Sequence, residues 1–233
     1  MPDLIELTVE DRVAHVRLNR PEAANAFSTE MMMRFGQVLM SATVQADVLL
    51  LTGAGEDFSV GREVDSPPGL THADRMAMIG DVNAMLGRFE GIVVSALQGR
   101  ALGFASGLAV QSDIAIAGES AVFGFDEIRK GFPPLIVSSY IQDHLLRKHV
   151  VDLLLSGREL SAAEAHAMGI VTRLVPDAEV EDAARAAVAE LRGSNVAALR
   201  RLKVYLEEIQ DVPKAERTAY AVQAQEAWFA TNH

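Results

Sequence analysis

The sequence predicts an α/β fold with a helical C-terminal region, on three observations. Short apolar runs of strand length alternate with longer amphipathic stretches through the first half of the chain. From about residue 138 onward, helix-like segments dominate. The composition, 49% hydrophobic residues with only 6% aromatics, is that of an Ala-, Val- and Leu-rich domain, and 233 residues suffice for one sizeable core.

Residues 4–9 and 13–18 alternate apolar and polar positions as half-buried strands do, with Glu10-Asp11-Arg12 as the turn between them. Asn19-Arg20-Pro21 ends the second strand, because proline has no N–H to offer a ladder. Ser28 is a helix N-cap with Glu30 in the first turn, for a helix running through residues 31–42. Residues 47–52 are almost wholly apolar, the pattern of a strand covered on both faces, and Gly53-Ala54-Gly55 breaks it. A helix over about 72–89 precedes a second buried strand at 92–97. The stretch 103–109 opens a helix of small residues, and 114–117 is a strand. Helices are then expected near 138–155, 161–168, 180–191, 195–209 and 214–229.

A net charge of −11 and a pI near 5.0 argue against nucleic-acid or anionic-membrane partners, which need basic footprints. A local basic pocket can still exist under a negative total. Cysteine is absent, so disulfides, thiolate catalysis and cysteine-based metal sites are excluded. Met1-Pro2-Asp3-Leu4-Ile5-Glu6 carries no apolar targeting core, and no run reaches the length of a membrane span; a cytoplasmic protein is expected. His15, His72, His144, His149, His166 and His233 show no metal-ligand spacing and read as structural or surface residues. No nucleophile elbow, phosphate-binding loop or dinucleotide fingerprint is present.

Four segments are candidates for chemistry. The loop Asp57-Phe58-Ser59-Val60-Gly61-Arg62-Glu63-Val64-Asp65 follows a buried strand, where α/β proteins commonly bind ligands. Gly61 would let backbone approach a ligand; an ordinary connecting loop is the plainer reading. Gly99, Gly103 and Gly107 recur every four residues. They suit close helix packing, and they also suit a helix N-terminus whose free N–H groups favour negative charge. Glu127 follows the apolar Ala121-Val122-Phe123-Gly124-Phe125, which would draw it inward, yet Arg129 and Lys130 beside it suit a solvated carboxylate. Asp126 would face the opposite way in an extended strand. Gly131-Phe132-Pro133-Pro134-Leu135-Ile136-Val137-Ser138 is predominantly apolar.

Together, Ala101-Leu102-Gly103-Phe104-Ala105-Ser106-Gly107 and Phe123-Gly124-Phe125-Asp126-Glu127-Ile128-Arg129-Lys130-Gly131 resemble the active-site segment of the crotonase (enoyl-CoA hydratase/isomerase) superfamily. Leu18-Asn19-Arg20-Pro21-Glu22, Leu155-Ser156-Gly157-Arg158, Gly169-Ile170-Val171 and Val175-Pro176 extend the resemblance over residues 4–229. It implies a ClpP/crotonase-like fold of repeated ββα units. It also implies an α/β core over 1–190 and a C-terminal helical segment over 191–233 used in oligomerisation, as a homotrimer or a dimer of trimers. Leu202, Tyr205, Ala221, Trp228 and Phe229 would serve that interface. A further helix common in the family would begin where residues 231–233 stand.

The same resemblance implies an acyl-CoA thioester substrate, with coenzyme A as part of the substrate and no bound cofactor or metal. Ser59, Val60, Gly61, Arg62, Glu63 and Val64 would line CoA, with Gly103, Phe104 and Pro134 completing the binding site. The residue before the loop glycine, Val60, would supply one backbone N–H of an oxyanion hole, and Phe104 the other. Glu127 matches an acid/base position; Gly107 stands where many relatives carry a second glutamate. Arg62-Glu63 replaces the usual small-then-acidic pair, Phe104 replaces a glycine and would narrow the acyl pocket, and apolar residues follow Pro134 in place of glycines. One carboxylate where hydratases use two points to double-bond migration over an enolate. Hydration, decarboxylation or C–C cleavage on a CoA thioester, and a non-catalytic acyl-CoA-binding role, are the alternatives.

Overall fold

Two sheets divide the strands of the computed structural model, which describes residues 3–232; Met1, Pro2 and His233 lie outside the described residues. The larger sheet has the order β1-β2-β3-β4-β6-β9, from β1 (Ile5–Glu10), β2 (Val13–Leu18), β3 (Val48–Gly53), β4 (Ile92–Leu97), β6 (Ile114–Gly118) and β9 (Arg173–Val175). The smaller has the order β5-β7-β8, from β5 (Arg100–Leu102), β7 (Val122–Gly124) and β8 (Glu159–Ser161). The β1–β2 pair is antiparallel, and all later pairings in the large sheet are parallel. Asp11 and Arg12 turn the hairpin with positive φ at both central residues, the geometry that matches strand twist. Every residue of β3 and β4 is buried, as their unbroken apolar runs require.

Ten helices surround the sheets among the described residues: α1 (Thr29–Gln45), α2 (His72–Gly87), α3 (Phe104–Gln111), α4 (Leu135–Ser138), α5 (Ile141–His144), α6 (Arg147–Ser156), α7 (Ala162–Met168), α8 (Val180–Arg192), α9 (Val196–Glu208) and α10 (Arg217–Asn232). Ser28 caps α1 by accepting from the Met31 N–H at 3.1 Å, as its sequence position predicts. The main core lies between the large sheet and α1, α2 and α3, with Phe27, Phe35, Phe58, Phe123 and Phe125 at its centre. On the other face α8 buries Val180, Ala184, Ala187 and Val188 against β3, β4 and β6.

The single helix expected over 138–155 is instead three pieces, α4, α5 and α6. The hydroxyls of Ser138 and Ser139 donate back to the carbonyls of Leu135 and Ile136, competing with the helical ladder. Leu145 and Leu146 are extended and separate the last two pieces. Strands β5, β7, β8 and β9 are three residues each, too short to display a period of two in the sequence.

The small sheet positions the site. Strands β5 and β7 run parallel with Leu102 opposite Gly124, so the segments beginning at Gly103 and Phe125 leave the sheet side by side. The Gly103 N–H donates to the Gly124 carbonyl at 2.7 Å. Ser106 adds a second tie: its hydroxyl accepts from the Gly124 N–H at 2.9 Å and donates to the Ala101 carbonyl at 2.5 Å. The 57–65 loop joins alongside through the Ser59–Ala101 bridge.

Candidate active site

These three segments border one cavity of about 720 Å³, walled also by α2 and by the 132–140 stretch. Val60, Arg62, Glu63, Val64, Gly103, Phe104, Glu127 and Pro134 all line it, so most of the residues singled out in the sequence do converge. Ser59 and Gly61 do not line it. Ser59 is fully buried; its hydroxyl donates to the Asn25 carbonyl at 2.8 Å and accepts from the Gly61 N–H at 3.1 Å. Gly61 has a φ of +85°, and a Cβ there would lie 2.5 Å from the Leu102 carbonyl oxygen, so only glycine lets the loop lie this close to the chain leading into α3. Both residues shape the loop and lie outside the cavity lining.

The loop is anchored from two sides. Buried Asn25 donates to the carbonyls of Ala54 and Asp57 at 2.8 and 2.9 Å. Asp57 accepts from the Arg100 N–H at 2.8 Å and pairs with its guanidinium at 2.7 Å, which holds the Asp57 carboxyl below its ordinary pKa.

The backbone donors differ from the expected set. The Val60 N–H donates to the Ala24 carbonyl at 3.1 Å, because Ala24 sits in a left-handed turn that presents its oxygen to the loop. It is therefore committed within the fold. Gly61 and Glu63 N–H groups are committed too, to Ser59 and to the Phe27 carbonyl. The Arg62 N–H meets no acceptor among the described residues, and neither does that of Phe104, the first residue of α3. A Cβ on Gly61, which precedes Arg62, would lie 3.5 Å from the Phe104 nitrogen, so the two free donors belong to neighbouring stretches of backbone. The Phe104 ring does not simply narrow the cavity. It is 8% exposed and packs edge-on against Phe27 and Phe35, with centroids 4.9 and 6.4 Å away.

Glu127 opens a 3₁₀ turn rather than continuing a strand. The alternation argument for Asp126 therefore does not apply; Asp126 is instead tied to Lys130 at 2.9 Å. The Glu127 side chain turns inward. Its Oε1 lies 3.4 Å from where a Cβ on Gly103 would sit, and its Oε2 is buried and accepts no hydrogen bond. Burial raises its pKa, reinforced by the Asp126 charge, while a backbone hydrogen bond, Lys130 and Arg62 pull the other way.

Tyr140 is a cavity residue that the sequence did not point to. It lines the cavity, and a Cβ built on Gly107 would collide with its hydroxyl. The phenol thus fills the place that a side chain at 107 would take. Burial drives its pKa well above the ordinary tyrosine value, and the nearby Glu127 charge adds to this, against a weaker opposing pull from Gln111. No local motif marks Tyr140: it reaches the site because the chain breaks between α4 and α5. The apolar stretch after Gly131 does line the cavity, through Phe132, Pro133, Pro134, Leu135, Ile136 and Val137.

Among the described residues no group of His, Asp and Glu is arranged to hold a metal ion, and no helix is long and apolar enough to cross a membrane. His15 bonds to the Thr52 hydroxyl at 2.9 Å and His166 to the Val171 carbonyl at 2.9 Å, both structural contacts; His72 lies on the cavity wall; His233 is outside the described residues.

A family model described as enoyl-CoA hydratase/isomerase matches residues 8–233. A protein of Mycobacterium tuberculosis named a probable enoyl-CoA hydratase is 30% identical over 231 residues, covering 95% of this chain and 88% of the relative. A candidate enoyl-CoA hydratase from Thermobifida fusca, solved in complex with CoA, superposes with a TM-score of 0.88 at 27% identity, covering 98% of this chain and 93% of that one. A structure from the same organism in complex with acetoacetyl-CoA gives a TM-score of 0.88 at 26% identity, covering 98% and 95%.

Proposed function

The chain belongs to the enoyl-CoA hydratase/isomerase family, and on that premise we propose that it shifts a double bond within an enoyl-CoA thioester, using one carboxylate. The observation that carries this reading is the Tyr140 hydroxyl in the place of a side chain at Gly107. It leaves Glu127 as the carboxyl with a buried, unpartnered oxygen in the cavity.

The chemistry follows from the donors and the base. The thioester oxygen sits between the Arg62 and Phe104 N–H groups, which stabilise the negative charge that develops when a proton leaves the adjacent carbon. Glu127 takes that proton and returns it to the carbon two bonds further out. A carboxyl whose pKa is raised serves both halves, since its ionised form is a stronger base and its protonated form persists closer to neutral pH. Hydration needs a second group to hold and activate water, and a phenol with a strongly raised pKa is a poor base for that task. The CoA part of the substrate enters along Glu63 and Val64 at the cavity mouth, coenzyme A being part of the substrate rather than a resident cofactor.

Hydration is the second reading, favoured by the names of the relatives. Incubating the protein separately with 3-hexenoyl-CoA and crotonyl-CoA separates the two. Conversion of the first to the 2-enoyl thioester without hydration of the second is the expected result; efficient hydration of crotonyl-CoA would overturn the one-carboxylate mechanism. Binding of both without turnover would instead favour a non-catalytic acyl-CoA-binding protein. We further propose a cytoplasmic trimer or dimer of trimers assembled through the C-terminal helices, a reading supported by the exposed Leu202, Leu206, Val222 and Phe229.

A further inference from the structure

Arg62, Arg75 and Lys130 line the cavity together with Glu63, Asp65, Asp126 and Glu127, and one of these cations is left without an ion pair or hydrogen bond among the described residues. The acidic side chains are largely spent: Glu63 on Arg20 at 2.8 Å, Asp126 on Lys130 at 2.9 Å, and Asp65 on the N–H and hydroxyl of Thr29 at 2.8 and 2.6 Å. Arg62 is spent on nothing. Its guanidinium is half-buried, yet no carboxylate of the described residues lies within 4.0 Å and no acceptor receives any of its five donors. Arg75 faces it with a like charge and bonds only the Leu70 carbonyl, at 3.1 Å. Asp65 and Glu127 are within electrostatic reach of Arg62 and offset part of that repulsion, but neither is hydrogen-bonded or ion-paired to it. A half-buried guanidinium with no hydrogen-bond acceptor is costly unless one completes the site.

The direction of the side chain says which anion. Besides the main cavity, Arg62 lines a small recess between α1 and α2, shared with Asp65 and Arg75 and walled by Phe27, Met32, Met78 and Ile79. It therefore reaches inward from the loop. Its backbone N–H is one of the two free donors, and its guanidinium lies within electrostatic reach of Glu127. A thioester carbonyl held at that N–H would project its acyl chain past the guanidinium.

We propose that the acyl group of the substrate carries a free carboxylate, and that the Arg62 guanidinium, with Arg75 behind it, binds that carboxylate inside the cavity. The inference rests on the acyl-CoA reading above and deepens it by naming the substrate class as a dicarboxylic monothioester of CoA. Arginine suits the task, since its planar fork matches both carboxylate oxygens.

The test compares thioesters in which a terminal methyl is replaced by a carboxylate: malonyl- against propionyl-CoA, succinyl- against butyryl-CoA, and glutaryl- against valeryl-CoA, with free CoA as a further arm. Calorimetric titration of the wild-type protein should show, for at least one chain length, binding about 10- to 100-fold tighter for the carboxylate form. Arg62→Gln should erase that preference. If the methyl forms bind at least as tightly at every length, the proposal is overturned, and this wild-type comparison decides even where Arg62→Gln fails to fold. If Arg62→Gln weakens both members of each pair and free CoA equally, Arg62 serves the CoA phosphates and the proposal is likewise overturned. Absence of binding by every thioester and by free CoA would defeat the acyl-CoA reading itself, and the proposal with it. Binding of free CoA without any preference defeats the proposal alone.

Discussion

Helix α3 and the helix pair α9–α10 are opposites. All eight residues of α3 are buried, whereas α9 and α10, thirteen and sixteen residues long, bury none. The first is gripped by β5, α2 and α5 on several sides. The pair is held by polar ties and an aromatic stack: Arg200 to Asp47 and Glu90 at 3.0 and 2.7 Å, Lys203 to Asp113 at 2.8 Å, and Tyr205 against Tyr220 with centroids 5.9 Å apart. The cavity is therefore bordered by the most deeply buried helix of the chain, while the C-terminal helices leave Leu202, Leu206, Val222 and Phe229 exposed.

That contrast is tested first at Glu127, where the largest effect is expected. Glu127→Gln should lower turnover of the true substrate by about 10²–10⁴-fold while CoA binding persists. Stability should move the opposite way. The folded state holds a proton on Glu127 at pH values where the unfolded chain has released it, because the folded pKa is raised. Wild-type stability thus falls as pH rises from the ordinary carboxylate range through the raised folded value, then levels off. Glu127→Gln should be the more stable protein at neutral pH, with the gap closing in acid. A variant less stable than wild type at neutral pH would mean that the carboxylate is a structural tie.

A smaller effect is expected at Gly107. Gly107→Ala puts a methyl into the Tyr140 hydroxyl and should cost about 1–3 kcal/mol, read from denaturant midpoints. Adding Tyr140→Phe should restore most of the loss, because the ring carbon behind the hydroxyl lies 3.4 Å from the added Cβ. A neutral Gly107→Ala would break the comparison by showing that α3 is loosely held after all. The smallest effect on the single chain is expected from Leu202→Gln with Leu206→Gln, residues 51% and 54% exposed. Thermal unfolding should shift by no more than about 0.5 kcal/mol per site, while light scattering should report a smaller assembly. An unchanged assembly would place the interface elsewhere.

The fold was legible because long regular patterns carried it, and the crotonase fold inferred from the motifs matches solved structures at TM-scores of 0.87–0.89. The buried strands β3 and β4 and the Ser28 cap of α1 follow directly from local sequence. At the site, side-chain chemistry was easier to place than backbone chemistry. Glu127 was singled out by the resemblance to the family, since its neighbours Arg129 and Lys130 alone suited a solvated carboxylate, and its side chain does turn into the cavity. Which N–H of the 60–63 stretch stays free depends on where the carbonyls of Ala24 and Phe27 lie, some 35 residues upstream in sequence, and no local pattern encodes that. Ser59 was counted with a loop that resembles the family's CoA-lining loop; its hydroxyl is consumed within that loop and it lies outside the cavity lining. Tyr140 was invisible for a related reason: a three-part break in an expected helix brings it beside Gly107.

Phe104 combines two features in one residue: it lines the cavity with an N–H that meets no acceptor among the described residues, and its ring is set among Phe27 and Phe35. A donor carried on glycine is aimed by its backbone alone and can drift while the protein stays folded. Here drift would require the aromatic cluster to open, which amounts to opening the main core. Heating should therefore not disarm this protein ahead of melting it: the temperature at which turnover disappears should coincide with the temperature at which the near-ultraviolet signal of the buried aromatics collapses.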